Sequence, residues 1–371
     1  CIDRNVAIKG KNRTKGEKTM GEVTVKNKLS EVFALPEFGK MAPYLMYTPW
    51  MEKQKEEDDA GKKAAGEEAE EAQDEDGKMG EMTIEQLKNI GWSPEGIVKG
   101  INRLSKAWEE GKASIHFVYT EEEVAAWPDK KCVNLVRLKP QQMDPGKPWI
   151  VLCAGGGYQS VCSVVEAYPA AVDMVARGYQ VFVCTYRVAQ KGVLPKAVSD
   201  LAACIRYILN NAKEFQIATT EYAIGGFSAG GNLICTFGLE DVGYKAYDLP
   251  KPKAMFPIYA AVDLEYCLDG EEATKNFAKT MLGEGFTEEI QNKYSVKVQI
   301  NESYPPCYIV CGKDDATVPC SNSEMLKERL DHYGVPAVLN EGDHAQHGFG
   351  DGTGTDVEGW PDKAIDFLEQ L

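Results

Sequence analysis

The sequence lacks a long apolar run. No stretch reaches about 18 apolar residues, and the first thirty residues have no apolar core of a secretory signal. We therefore predict a protein without a membrane span and with a cytoplasmic location. The chain begins at Cys1, as a processed bacterial lipoprotein would, so this alternative stays open. A trimmed chain, or a true start at Met20, is the preferred reading.

The sequence also lacks an excess of positive charge. Lysine and arginine together number 41 against 57 acidic residues, which gives a net charge of −16. Such a protein repels a phosphate backbone unless a local basic patch reverses the field, so nucleic acid is not expected as a partner. Much of the negative charge lies in one run, residues 52–81, and says little about the substrate of the remainder.

Regular cysteine spacing is absent as well. The eleven cysteines are an odd number and are scattered through apolar stretches, which predicts reduced core residues and not a disulfide framework. Cys307, Cys311 and Cys320 are conceivable zinc ligands, but no paired CxxC knuckles occur. We predict no metal site.

Composition divides the chain into four parts. Residues 1–51 carry short apolar groups whose structural role the sequence does not indicate. Residues 52–82 are almost entirely Glu, Asp, Lys, Ala and Gly, which predicts a flexible acidic linker. Residues 83–127 are expected to form a short helical segment. The main domain is expected over residues 128–371.

The helical segment has clear start signals. Thr83 and Gln86 have the spacing of a capping box, and Ser93-Pro94 opens a second helix that ends at Gly111. The apolar positions of this helix form one stripe, which must pack on the main domain or on a second subunit. A homo-oligomer through this segment is therefore one expectation. The stripe residues are Ile97, Ile101, Leu104 and Trp108.

From about residue 133, short β-rich runs alternate with helical patterns, which is typical of a mostly parallel sheet covered by helices. Strands are predicted at residues 133–138, 150–153, 181–185, 222–224, 254–258, 308–311 and 337–340. The predicted fold is a doubly wound α/β domain with a helical N-terminal extension. Residues 264–305 are longer than a crossover requires and are expected to form a small cap.

Two glycine motifs carry the chemistry. Ser228 lies in Gly226-Phe227-Ser228-Ala229-Gly230, between a predicted strand and a helical run, which is the context of a nucleophile elbow. Earlier in the chain, Gly155, Gly156 and Gly157 follow another predicted strand. Backbone N–H groups in such a loop approach a developing oxyanion without obstruction by side chains.

A serine nucleophile needs a histidine base and an acid. The sequence has four histidines; His116 precedes the core, and His332 lies in a helical pattern. His347 is preferred because Gly348 follows it, while His344 stays an alternative. Either Asp314 or Asp315, after the strand at residues 308–311, could orient the base. A metal site of Asp343, His344 and His347 is not favoured, because these residues share one loop.

These motifs, with His347-Gly348-Phe349, resemble the acetyl esterase and feruloyl-esterase-like branch of the α/β-hydrolases over roughly residues 133–371. The resemblance implies Asp315 as the acid, since it stands three residues after Gly312 and three before Val318-Pro319. It also implies Gly156, Gly157 and Ala229 as oxyanion donors.

The implied function is that of a serine carboxylesterase acting on small acyl, above all acetyl, esters of sugars or xylo-oligosaccharides. The partner is then a small-molecule ester, and no cofactor or metal is needed. Two alternatives stay open: a serine peptidase of the prolyl-oligopeptidase type, and a catalytically inert interaction protein.

Overall fold

The computed structural model describes residues 8–9, 22–36, 38–49, 79–262, 278–283 and 287–371. The predicted acidic linker lies almost entirely outside these residues, and so do residues 264–277 and 284–286 of the predicted cap. The described residues of the predicted cap include the helices Glu288–Tyr294 and Val296–Gln299. The cap and the linker therefore stay predictions.

In the described part of the chain, nine strands form one sheet. They are β1 (Ile8–Lys9), β2 (Ala113–Phe117), β3 (Asn134–Leu138), β4 (Trp149–Cys153), β5 (Val181–Thr185), β6 (Tyr222–Phe227), β7 (Ala254–Ile258), β8 (Cys307–Gly312) and β9 (Ala337–Gly342). Their order is β1-β2-β3-β5-β4-β6-β7-β8-β9. The pairings from β5 to β9 are parallel, whereas β1, β2 and β3 pair antiparallel at one end.

Helices cover this sheet. Among the described residues, the α-helices include α1 (Leu29–Phe33), α2 (Pro94–Glu109), α3 (Glu121–Ala126), α4 (Ala167–Ala176), α5 (Val193–Asn210), α6 (Ala212–Phe215), α7 (Ala229–Phe237), α8 (Glu288–Tyr294), α9 (Val296–Gln299), α10 (Ser321–His332) and α11 (Trp360–Glu369). Segments Gly39–Tyr44, Ile84–Ile90 and Pro128–Cys132 are 3₁₀ helices.

The central strands show why the sequence predicts this sheet. Every residue of β4, β5, β6 and β7 is buried, because helices lie on both faces of the parallel part. Strands of this kind are continuous apolar runs, and the seven predicted strands all occur within a few residues of their predicted bounds. The doubly wound, mostly parallel α/β fold is confirmed.

The N-terminal extension differs from its prediction. Residues 83–127 were expected to be helical, but they also contain β2, which pairs antiparallel with β3 and so belongs to the same sheet. Residues 128 and onward are therefore not a separate unit. Part of the first segment also contributes to the core: Leu29, Val32 and Phe38 are fully buried.

Helix α2 begins as the sequence predicts. The Ser93 hydroxyl accepts a hydrogen bond from the Gly96 N–H, and Pro94 occupies the first helical position. Its apolar stripe is buried within the chain, and Lys99 forms an ion pair with Asp173 of α4 at 2.6 Å. The helix thus packs on the main domain, which was the first of the two expected arrangements. The homo-oligomer stays a prediction, without this stripe to support it.

In the described part of the chain, none of the helices has both the length and the apolar character needed to span a bilayer.

Candidate active site

Ser228 lies on a sharp turn between β6 and α7. Its backbone has φ 50° and ψ −116°, a conformation that non-glycine residues rarely adopt and that surrounding structure must enforce. The turn is tight because Gly226 has no side chain: a Cβ there would lie 2.2 Å from the carbonyl oxygen of Gly230. The predicted strand-turn-helix context of Ser228 is therefore present.

His347 contacts this serine. It lies in the loop after β9, where its Nε2 is 2.9 Å from the Ser228 Oγ. The competing His344 has a side chain that is 85% exposed and lies 3.8 Å from Asp314. His116 is buried in β2, where it hydrogen-bonds Ser114, and His332 ends helix α10. Of the four histidines, His347 is the one that the fold brings to Ser228.

The two adjacent aspartates have different partners. Asp315 Oδ2 lies 2.7 Å from His347 Nδ1, and its Oδ1 accepts hydrogen bonds from the N–H groups of Thr317 and Val318, both at 2.8 Å. Its side chain is fully buried. Asp314 instead accepts hydrogen bonds from the backbone of the histidine loop, at Ala345 and Gln346. The structure thus joins Ser228, His347 and Asp315 in one chain of hydrogen bonds.

The glycine loop after β4 lies against the serine. A Cβ on Gly155 would be 2.8 Å from the Ser228 Cβ, so this close approach depends on glycine. Within the described residues, the backbone N–H groups of Gly156, Gly157 and Ala229 donate to no protein acceptor. These are the three groups that the family resemblance implies as donors to a developing oxyanion.

A disulfide bond brackets the loop that carries Asp315. Cys311 at the end of β8 is bonded to Cys320 just before α10, with Cα atoms 5.8 Å apart. The prediction that all cysteines are reduced was therefore wrong for this pair, and one argument for a cytoplasmic location is lost with it. Seven other described cysteines are buried and form no disulfide bond within the described residues.

This disulfide leads to a prediction about stability. Replacing Cys320 with serine is expected to lower the free energy of unfolding by about 2–3 kcal/mol, because the bond closes a short loop in the unfolded chain. Urea unfolding of both proteins, with and without dithiothreitol, measures this. The wild-type midpoint should fall on reduction, while that of the variant should not move. A wild-type unfolding midpoint that does not change with the reductant would contradict the disulfide.

The same place contains the one cluster of candidate metal ligands found among the described residues, Cys311, Cys320 and Glu341. Two of its three members are joined by the disulfide, so their sulfurs are not thiolate ligands. Asp343 pairs with Lys313 at 2.9 Å, and His347 with Asp315. The loop of Asp343, His344 and His347 therefore does not converge on one point.

Glu166 is a residue of the site that the sequence motifs do not indicate. It is 4% exposed, and its carboxylate accepts a hydrogen bond from the N–H of Gly155 in the glycine loop. The available signal was a lone acid between Val164-Val165 and Ala167, inside an apolar stretch. A buried carboxylate beside a reactive centre is a candidate for function.

A Ser–His–Asp contact at the carboxyl ends of a mostly parallel sheet, in the chain order serine, aspartate, histidine, defines the α/β-hydrolase fold. The model of the BD-FAE family matches residues 136–330, which is more than half of the chain. The chain therefore belongs to the BD-FAE family. The match includes Ser228 and Asp315 and ends before His347, and the resemblance drawn from the sequence motifs is confirmed.

Individual relatives agree with this assignment. The chain is 27% identical over 202 residues to an endo-1,4-beta-xylanase B of Butyrivibrio fibrisolvens, covering 52% of this chain and 31% of that protein. It is 27% identical over 214 residues to an acetylxylan esterase of Xylanibacter ruminicola, covering 57% and 42%. The chain thus spans less than half the length of either relative.

A solved structure supports the fold. The esterase Est2 of Thermogutta terrifontis, with propionate bound, superposes with a TM-score of 0.58 and 21% sequence identity. The superposition covers 71% of this chain and 95% of that one. Nearly the whole of that esterase chain is therefore matched in fold by this chain.

Proposed function

We propose that this protein is a serine carboxylesterase that removes small acyl groups, above all acetyl, from sugars or xylo-oligosaccharides through an acyl-enzyme intermediate. The observation that carries the proposal is the chain of two hydrogen bonds from Ser228 through His347 to Asp315, at 2.9 and 2.7 Å. Membership of the BD-FAE family and the names of the relatives support the substrate class.

The geometry suits the acylation half of the reaction. As the Ser228 oxygen attacks the ester carbonyl carbon, its proton passes to Nε2 of His347, and Asp315 stabilises the imidazolium that forms. The carbonyl oxygen becomes an oxyanion, for which the N–H groups of Gly156, Gly157 and Ala229 are the proposed donors. The intermediate then collapses, and His347 gives its proton to the departing alcohol.

Deacylation uses the same groups in reverse roles. Water attacks the acyl carbon on Ser228 while His347 takes one of its protons, and that proton returns to the serine oxygen when the carboxylic acid leaves. In both halves of the reaction, His347 accepts or donates the proton that moves.

The proposed substrate follows from the relatives. One of them is named an acetylxylan esterase, and a xylanase is another. Because this chain covers only part of both, xylanase activity is not included in the proposal. The proposal is limited to ester cleavage, for which the chain contains a nucleophile, a base and an acid in contact.

A series of p-nitrophenyl esters from acetate to octanoate tests the proposal. We expect kcat/KM for acetate to exceed that for octanoate by at least about tenfold, since a pocket built for a small acyl group excludes a longer one. Acetylated xylo-oligosaccharides, followed by acetate release and by mass spectrometry, give the second arm. Inert esters with the fold intact would overturn the proposal, and proline-containing peptides would be the next substrates.

A further inference from the structure

A buried carboxylate lies beneath the glycine loop. Both oxygens of Glu166 are occupied: Oε2 accepts a hydrogen bond from the Gly155 N–H, and Oε1 accepts one from the Tyr259 hydroxyl at 3.1 Å. A Cβ on Gly155 would lie 3.2 Å from this carboxylate and 2.8 Å from the Ser228 Cβ. Gly155 is therefore the spacer between Glu166 and the nucleophile.

The second contact leads to the base. The ring of Tyr259 meets the ring of His347 edge to face, with centroids 4.9 Å apart, and meets Phe349 in the same manner at 4.5 Å. The Tyr259 hydroxyl is held by Glu166, so the carboxylate fixes the ring that packs on His347. Glu166 thus connects the glycine loop to His347.

A contribution to the stability of the fold does not explain why the Glu166 carboxylate is buried. Asp200, another buried acid, forms an ion pair with Arg187 at 2.9 Å, the usual arrangement for a buried charge. Among the described residues, no lysine or arginine pairs with Glu166. A buried acid without a neighbouring cation lowers the stability of the folded protein. Such acids are typical of functional sites, where they serve the chemistry of the site.

The charge of this group changes in the assay range. Burial raises the pKa of Glu166 to about 7, against the opposing effects of the Gly155 N–H, His347 and the Tyr259 hydroxyl. In the described part of the chain, the titratable groups that face it are Tyr259, His347 and Tyr186. Glu166 is mostly ionised at pH 8.5 and mostly protonated at pH 6.

From these contacts we infer that Glu166 is a positioning residue of the active site. In its ionised form it holds the glycine loop in place through Gly155, and it holds the base His347 in place through Tyr259. The inference rests on the proposed esterase function. Ionised acceptors make shorter and stronger hydrogen bonds than neutral ones. The negative charge also favours the imidazolium that His347 becomes in the transition state.

The test uses Glu166→Gln, which keeps the shape and removes the charge. At pH 8.5 we expect kcat for p-nitrophenyl acetate to fall about 10- to 100-fold, since displaced catalytic groups cost that much, with KM changed less than about threefold. Because the variant resembles the protonated wild type, the difference should shrink as the pH falls toward 6. Tyr259→Phe removes one of the two contacts and should lose less, about three- to tenfold.

Thermal unfolding separates positioning from folding. A raised carboxyl pKa favours the folded state at low pH, and this contribution is lost as pH rises through about 7. At pH 8.5 the wild type bears a buried charge that Glu166→Gln lacks, so the variant should unfold at the same or a higher temperature. The matched control Asp200→Asn breaks a buried ion pair and should lower Tm while leaving kcat within about threefold.

The outcomes are distinguishable. A Glu166→Gln protein with wild-type kcat at every pH would overturn the inference and leave the esterase function standing. A pH-independent loss of kcat together with a lower Tm would also overturn it, because that pattern is structural. A wild type without ester turnover at any pH would overturn both.

Discussion

Replacing Ser228 with alanine is expected to lower kcat for p-nitrophenyl acetate by about 10,000-fold or more. The alanine has no oxygen to attack the carbonyl, so no acyl-enzyme forms, and His347 loses its partner at 2.9 Å. The variant should fold, because the strained turn at φ 50° depends on Gly226 and its neighbours and not on the hydroxyl. Steady-state kinetics with a circular dichroism spectrum of each protein measure both effects.

A second serine gives the matched control. Ser163 is fully buried a few residues beyond the glycine loop, and its hydroxyl has no hydrogen-bond partner within the described structure. Ser163→Ala should therefore keep kcat within about twofold, since no interaction is removed. Equal losses in the two variants would contradict the role proposed for Ser228.

Asp315→Asn is expected to lower kcat by about 10,000-fold. The carboxylate Oδ2 accepts the proton on Nδ1 of His347 at 2.7 Å, which leaves Nε2 free to take the serine proton. An asparagine can instead donate its amide hydrogen to Nδ1 and hold the ring in the opposite tautomer. In that tautomer Nε2 carries a hydrogen and is no longer a base.

The neighbouring aspartate is the control for this change. Asp314 accepts hydrogen bonds from the backbone of Ala345 and Gln346 and has no contact with the His347 ring in the described structure. Asp314→Asn keeps one acceptor oxygen for them, so a loss of less than about tenfold is expected. If Asp314→Asn proves the more damaging of the two, the assignment of Asp315 is wrong.

The sheet was predictable because its central strands are buried on both faces. Runs such as Trp149–Cys153 and Val181–Thr185 are continuously apolar and lie between turn signals. β2 was missed for the opposite reason, since Ser114 and His116 interrupt its apolar pattern. The structure buries these two polar side chains together, and they form a hydrogen bond at 2.8 Å.

The contacts of the site were predictable in part. Ser228 and the glycine loop could be read from local motifs, because steric rules confine such turns to glycine. The choice of Asp315 over Asp314 came from family resemblance, since two adjacent carboxylates have the same chemistry. Glu166 was missed because its importance depends on Gly155 and Tyr259, the second of which lies 93 residues away in the chain.

The disulfide could not be read from the sequence for a similar reason. Cys311 lies next to the last residue of a buried strand and Cys320 precedes a helix, nine residues apart, and neither belongs to a repeated spacing. Only the fold shows that the Asp315 loop turns back and brings the two sulfurs together. Eleven cysteines in apolar surroundings otherwise suggest a reduced core.

Covalent labelling by diethyl p-nitrophenyl phosphate tests directly whether Ser228 is the nucleophile. This reagent phosphorylates an activated serine and releases p-nitrophenol, which reports the attack without requiring the natural substrate. We expect one equivalent of p-nitrophenol per chain and a diethylphosphoryl group on the peptide that contains Ser228, with no release from the Ser228→Ala protein. A folded wild-type protein that releases nothing, or that is labelled at another residue, would contradict it.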